Sequence, residues 1–117
     1  MDPFGNLYVA DTMNNRVLEY DSPFSTDTVA DRVFSINATG IAVDQTGRLF
    51  VAEASNNRVL GFSRPLLTAT PDLVIGQGDF TDTLCNFGGT PNATALCQPS
   101  AVAVDVSSPC VVTDVWV

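Results

Sequence analysis

The stretch Gly5-Asn-Leu-Tyr-Val-Ala-Asp-Thr-Met-Asn-Asn-Arg-Val-Leu-Glu-Tyr-Asp-Ser-Pro-Phe24 returns as Gly47-Arg-Leu-Phe-Val-Ala-Glu-Ala-Ser-Asn-Asn-Arg-Val-Leu-Gly-Phe-Ser-Arg-Pro-Leu66, an offset of 47 − 5 = 42 residues with ten of the twenty positions identical. A period of about 40 to 45 residues carrying short apolar strands marks a β-propeller blade, a unit that hides its faces only by stacking on neighbours. The expected fold is therefore all-β: a propeller segment of about two to two and a half four-stranded antiparallel blades. Closed propellers use at least about four blades, so this chain alone does not close the ring.

Within each copy the residue types set the elements. Leu7-Tyr-Val-Ala10 and Leu49-Phe-Val-Ala52 are apolar throughout, as suits a strand covered on both faces. Asp11-Thr-Met-Asn-Asn15 and Glu53-Ala-Ser-Asn-Asn57 follow; their asparagines tolerate left-handed backbone and bond to nearby amides, so a hairpin turn is expected. The return strands Arg16–Tyr20 and Arg58–Phe62 put Arg, Leu and an aromatic on one face by period two, and Pro23 and Pro65 stop them. Arg32-Val-Phe-Ser-Ile36 and Asp72-Leu-Val-Ile-Gly76 read as outer strands.

Gly40-Ile-Ala-Val-Asp44 is echoed by Ser100-Ala-Val-Ala-Val-Asp105 at a shift of 105 − 44 = 61, which is 61 − 42 = 19 residues beyond the repeat. The organisation is then a partial first blade over 1–39 (strands about 6–10, 16–20 and 31–36), a second over 40–78 (about 40–44, 48–52, 58–62 and 72–76), an inserted loop over 79–99 and a truncated third blade over 100–117. Without gaps, the third copy sets Cys110-Val-Val-Thr-Asp114 on Leu49–Glu53 and Val117 on Asn56, while Met1-Asp2 falls on Val43-Asp44. Both ends cut through a blade, so a segment of a longer frame is expected. Ser108-Pro109 in place of Gly47-Arg48, and Trp116 in place of a turn residue, make the third copy the least regular.

Cys85 and Cys97 bracket 96 − 86 + 1 = 11 residues rich in Gly, Thr, Asn and Pro. A bridge between them would hold closed a loop with little apolar area to order it, and implies an oxidising compartment. The alternative is a pair of reduced small apolar side chains. Cys110 reads as a buried free thiol in a strand. Asn37-Ala-Thr39 and Asn92-Ala-Thr94 match the glycosylation acceptor triplet, a pattern frequent by chance.

Thirteen acidic residues against five arginines, without lysine or histidine, give a net charge of −8. Phosphate backbones are repelled by such a chain, so nucleic acid is not an expected partner. The lack of histidine removes the usual general base and the commonest metal ligand. No window approaches 18 apolar residues, and no basic-then-apolar leader opens the chain, so neither a membrane span nor a signal peptide is read here.

The pattern Gly40-Ile-Ala-Val-Asp44, then Gly47-Arg-Leu-Phe-Val-Ala-Glu53, then Asn56-Asn-Arg-Val59 resembles the NHL-repeat family of β-propellers, fully over residues 40–60, nearly so over 2–20 and in decayed form over 99–114. The section from Asp72 to Asp105 resembles the inter-blade segment of large bacterial, exported members. The resemblance implies a scaffold that displays loops to proteins or other ligands, in a protein placed outside the cell or in the periplasm. Some members bind RNA and a few are lyases or sensors. The RNA-binding branch shows a basic face and the amidating-lyase branch relies on histidine-bound metal, and this segment offers neither.

Asp11 with Arg16 and Glu53 with Arg58 share a five-residue spacing across the Asn14-Asn15 and Asn56-Asn57 turns. They either pair or bond to turn amides, with ligand contact from a propeller rim as the functional alternative. Asp44 and Asp105, with Asp2 by alignment, suit Asx turns; calcium is the sharper alternative, but no Asp-x-Asp-x-Asp-Gly loop occurs. Gly76-Gln-Gly78 and Gly88-Gly89 lack the context of a phosphate cradle. The expected role is a non-catalytic protein- or ligand-binding scaffold with no cofactor, no metal and no catalytic residue in this chain. Its expected partners are sister blades or further copies, together with an unspecified protein or small molecule. The alternatives are a piece of a propeller enzyme with its catalytic residues elsewhere, or a short chain that assembles, for example three copies into a six-bladed ring.

Overall fold

Runs of Val, Leu, Phe and Tyr, cut by Asn, Asp and Pro, give three separate antiparallel sheets in the computed structural model, which describes residues 1–23, 28–105 and 114–116. The first sheet is β1 (Leu7–Asp11), β2 (Arg16–Tyr20) and β3 (Arg32–Phe34), in that order. The second is β4 (Gly40–Val43), β5 (Leu49–Glu53), β6 (Arg58–Phe62) and β7 (Leu73–Ile75), again in chain order. The third pairs β8 (Ala103–Asp105) with β9 (Asp114–Trp116). Among the described residues none closes on itself, as in an open propeller segment.

The sequence repeat is also a register repeat. Leu7 lies opposite Tyr20 and Asp11 opposite Arg16, as Leu49 lies opposite Phe62 and Glu53 opposite Arg58. The connecting turns are single 3-10 turns, Thr12–Asn14 and Ala54–Asn56, each ended by an asparagine in the left-handed region: Asn15 at φ 52 and Asn57 at φ 55. Asparagine is among the few residues that visit that region readily, which explains why the second asparagine of each pair stands there.

Alternation along the strands gives the second sheet two apolar faces. Tyr8, Val17 and Phe34 on one face of the first sheet pack on Leu49, Val51, Leu60 and Phe62 of the second. The rings of Phe34 and Phe62 meet edge to face at 5.4 Å, a favoured aromatic geometry. The other face of the second sheet, with Phe50, Ala52 and Val59, packs on Val102, Leu96 and Val104. All five residues of β5 are buried, as a strand sandwiched between sheets requires. Leu7, Val9, Leu49 and Val51 thus belong to consecutive stacked sheets.

The third sheet corrects the ungapped alignment. Asp105 pairs with Asp114 and Ala103 with Trp116, so Trp116 stands in a strand and not in a turn. Asp105 and Asp114 are 114 − 105 = 9 apart, against 48 − 44 = 4 for the equivalent Asp44 and Arg48. Ladder pairing sets register, and lengthening a connection costs little chain entropy, so the strand moved along the sequence. Cys110 and the strand expected over 110–113 lie outside the described residues.

Candidate functional site

Each hairpin turn is organised by its acid. Asp11 accepts from Arg16 Nε at 2.6 Å and from Asn14 Nδ2 at 3.0 and 3.1 Å. Glu53 accepts from Arg58 Nε and from Asn56 Nδ2, both at 2.7 Å. Pairing with arginine, one of the two roles open from the sequence, is thus the geometry adopted. Arg16 and then Asn14 hold the Asp11 carboxyl below the usual carboxylate range.

Asp2 and Asp44 build a second repeated element. Asp2 Oδ1 accepts the amides of Phe4 and Asn6, and Asp44 Oδ1 accepts those of Thr46 and Arg48, the same two- and four-residue steps. Gly5 at φ 90 and Gly47 at φ 88 close the two turns. Burial opposes the Asp44 charge, yet the Arg48 amide, the Thr46 hydroxyl and the Arg48 guanidinium outweigh it and hold its carboxyl low. With both oxygens so engaged, Asp44 sits as an Asx-turn residue. Asp105 ends β8 half-buried, and the turn beyond it lies outside the described residues.

One arrangement had no counterpart in the reading of the sequence. Tyr8, Glu19 and Arg32 are cross-strand neighbours in the first sheet; their equivalents in the second are Phe50, Gly61 and Leu73. Glu19 is fully buried and bonds to Arg32 Nη1 at 2.7 Å, while Arg32 Nε donates to Leu66 O of the second sheet's hairpin at 3.0 Å. Burial pushes the Glu19 carboxyl up, and burial with the neighbouring Glu19 pushes the Tyr8 hydroxyl up. Glu19 with Asp21 and Asp31 forms a group of three carboxylates close enough for a cation. Arg32 bonds to two of them, at 2.7 and 2.9 Å, and so already supplies the positive charge.

The second hairpin reaches further than the first. Asn57 Nδ2 donates to Thr83 O and its Oδ1 accepts from Gln98 N; Arg58 Nη1 donates to Phe80 O. Gln77 Nε2 donates to Asn57 O and Leu84 O. Cys85 and Cys97 are joined in a disulfide, and the backbone closes the same loop through Asn86 N to Leu96 O and Leu96 N to Gly76 O. The Asn-Asn-Arg turn of this copy therefore clamps the inserted loop to the rim of the sheet stack. The loop encloses a concavity of about 320 Å³ lined by Gln77, Gly78, Asp82, Leu84 and Phe87. The Cys pair was a sequence signal for this loop; Gln77 was not, because a glutamine between two glycines reads as a flexible turn.

A consequence follows for the two asparagines. Asn57→Gly keeps the left-handed backbone but removes two side-chain bonds to the loop, each worth about 1 kcal/mol. Amide exchange at Asn86 and Leu96 is expected to speed up by roughly tenfold or more. Asn15 is exposed, and among the described residues its side chain makes no bond to a loop, so Asn15→Gly is expected to stay within about 0.5 kcal/mol of the parent in a urea melt.

Residues 37–62, which run from just before β4 to the end of β6 and include the Glu53–Arg58 turn, match the family model of the NHL repeat. No curated protein matches the chain.

Proposed function

We propose that this NHL-repeat chain is a non-catalytic propeller segment, a rigid stack of sheets that serves as a protein- or ligand-binding scaffold beside sister blades. The observation that carries the reading is the equivalence of faces. Leu49, Val51, Leu60 and Phe62 are covered by the first sheet, whereas among the described residues their counterparts Leu7, Val9, Leu18 and Tyr20 join no buried cluster, with Val9 37% and Val33 51% exposed. The occupant that such a face fits is the opposite face of another blade, of the kind Tyr8, Val17 and Phe34 present to the second sheet. The buried acids support a structural rather than a catalytic part, because Asp2, Glu19, Asp44 and Glu53 are all engaged in turns or arginine pairs. The disulfide is compatible with an extracellular location. Among the described residues no helix is long and apolar enough to cross a membrane.

An uncovered sheet face invites association. Light scattering coupled to size exclusion is expected to show mass rising with concentration, and Val9→Lys with Val33→Lys is expected to return the protein to monomer. The melting temperature should hardly change, since both side chains are exposed. A parent chain that stays monomeric over a hundredfold concentration range would defeat the reading.

A further inference from the structure

The disulfide loop is cross-linked yet displays its large apolar groups. Phe80 is 44%, Leu84 63% and Phe87 44% exposed, although the loop is cross-linked and held by four side-chain bonds involving Asn57, Arg58 and Gln77. A loop with only a stabilising role would turn such groups inward. Asn86 and Phe87 are both left-handed, at φ 52 and 54. For a bulky aromatic this is a strained conformation, of the type that surrounding structure enforces at ligand-contacting segments. The strain is kept although Gly88 and Gly89 stand next in the chain.

The concavity has a defined chemistry. Leu84 and Phe87 form its apolar walls, and Asp82 lies beside Gly78, so that a methyl group on Gly78 would sit 3.1 Å from Asp82 Oδ2. Among the described residues no arginine pairs with Asp82. Gln77 is 7% exposed; its Nε2 is bonded, while its Oε1 is buried with no partner within the protein. An apolar notch, one unpaired carboxylate and an amide oxygen lacking a donor, on a chain of net charge −8, complement a cationic ligand with an apolar arm. Preorganised apolar anchors of this kind favour affinity because little ordering remains to be done on binding.

We propose that the loop closed by Cys85 and Cys97 is a docking site for a basic peptide segment, whose apolar side chain lies between Leu84 and Phe87 and whose ammonium or guanidinium group meets Asp82. The inference rests on the scaffold reading above, with the sheets supplying the rigid base. The test is an NMR titration of the protein with acetyl-leucyl-lysyl-leucyl-lysyl amide. Saturable shifts are expected at Gly78, Asp82, Leu84 and Phe87. Leu84→Ser and Asp82→Asn should each weaken binding about tenfold, as anchor residues do, and reduction of the disulfide should abolish it. The peptide with glutamate for lysine should give no shifts. Diffuse shifts equal in size for the peptide with serine for leucine would show general charge attraction and overturn the proposal. An unchanged spectrum on adding the peptide to folded protein would overturn it too, and would leave the scaffold reading standing, since that reading fails only on the association measurement.

Discussion

Arg32→Met is expected to lower the unfolding free energy by about 3 kcal/mol at neutral pH, the lower end of what is seen when a buried ion pair loses one partner. The lower end applies because the Arg32 side chain is itself 34% exposed. The cost arises at Glu19, whose side chain is fully buried and would be left charged in an apolar junction between sheets. Burial raises the Glu19 carboxyl above its ordinary value in the folded protein, so the folded state holds that proton more tightly than the unfolded chain does. Stability must then fall as pH rises through the raised value and recover as pH drops below it. Removing Arg32 raises the value further. Urea melts at pH 7 and pH 5 should therefore show the penalty shrinking at the lower pH; an equal penalty at both would mean that lost packing, and not stranded charge, is the cause. Tyr8→Phe, Glu19→Gly and Arg32→Leu together copy the row Phe50–Gly61–Leu73 of the second sheet. This triple variant is expected to regain most of the loss, because exchanging a whole buried ionic group for packed apolar residues is commonly neutral or better. In the second sheet Leu73 fills the space that a side chain at Gly61 would take, 2.9 Å from its Cβ.

That row shows where the sequence was legible and where it was not. The 42-residue repeat foretold two like sheets, because alternation, turn asparagines and stop prolines are local signals that act through backbone geometry. The burial of Glu19 was hidden. A glutamate between Leu18 and Tyr20 reads as a solvent-facing break, and only the neighbouring β3, which brings Arg32 opposite it, permits its burial. The signal lay in comparing the copies: Tyr8 against Phe50 and Glu19 against Gly61 change from polar to apolar together. The position of β9 was lost for a different reason. Gap-free alignment assumes constant loop length, whereas pairing with Ala103–Asp105 constrains only the strand. In the rim loop the cysteine spacing foretold the closure, but the clamp from Asn57 and Arg58 depends on contacts 22 to 41 residues apart that no local pattern encodes.

Gly76→Ala is the second substitution expected to cost about 3 kcal/mol or more, and it tests the link between the sheet stack and the docking loop. Gly76 sits at φ +91, and a methyl group there would collide with Leu96 Cγ and lie 2.6 Å from Leu96 Cβ. The clash reaches the Cβ as well as the flexible end of the side chain, so rotation of Leu96 cannot relieve it and the backbone must shift. Strain in the left-handed region costs about 1 to 2 kcal/mol, and overpacking adds about 1 to 3. The shift would break the bond from Leu96 N to Gly76 O and disturb Leu96 where it packs with Phe50, Ala52 and Val59. Leu96 precedes Cys97, so the disturbance passes directly to the disulfide and to the concavity. The variant should therefore lose stability in a urea melt and lose affinity for the leucyl-lysyl peptide together. Gly78→Ala is the matched control: its new methyl would meet only the carboxylate end of Asp82, at 3.1 Å, so stability should hold within about 1 kcal/mol while peptide binding weakens. If Gly76→Ala left both the melt and the peptide affinity unchanged, the loop would be independent of the sheets and the rigid-base argument would fail.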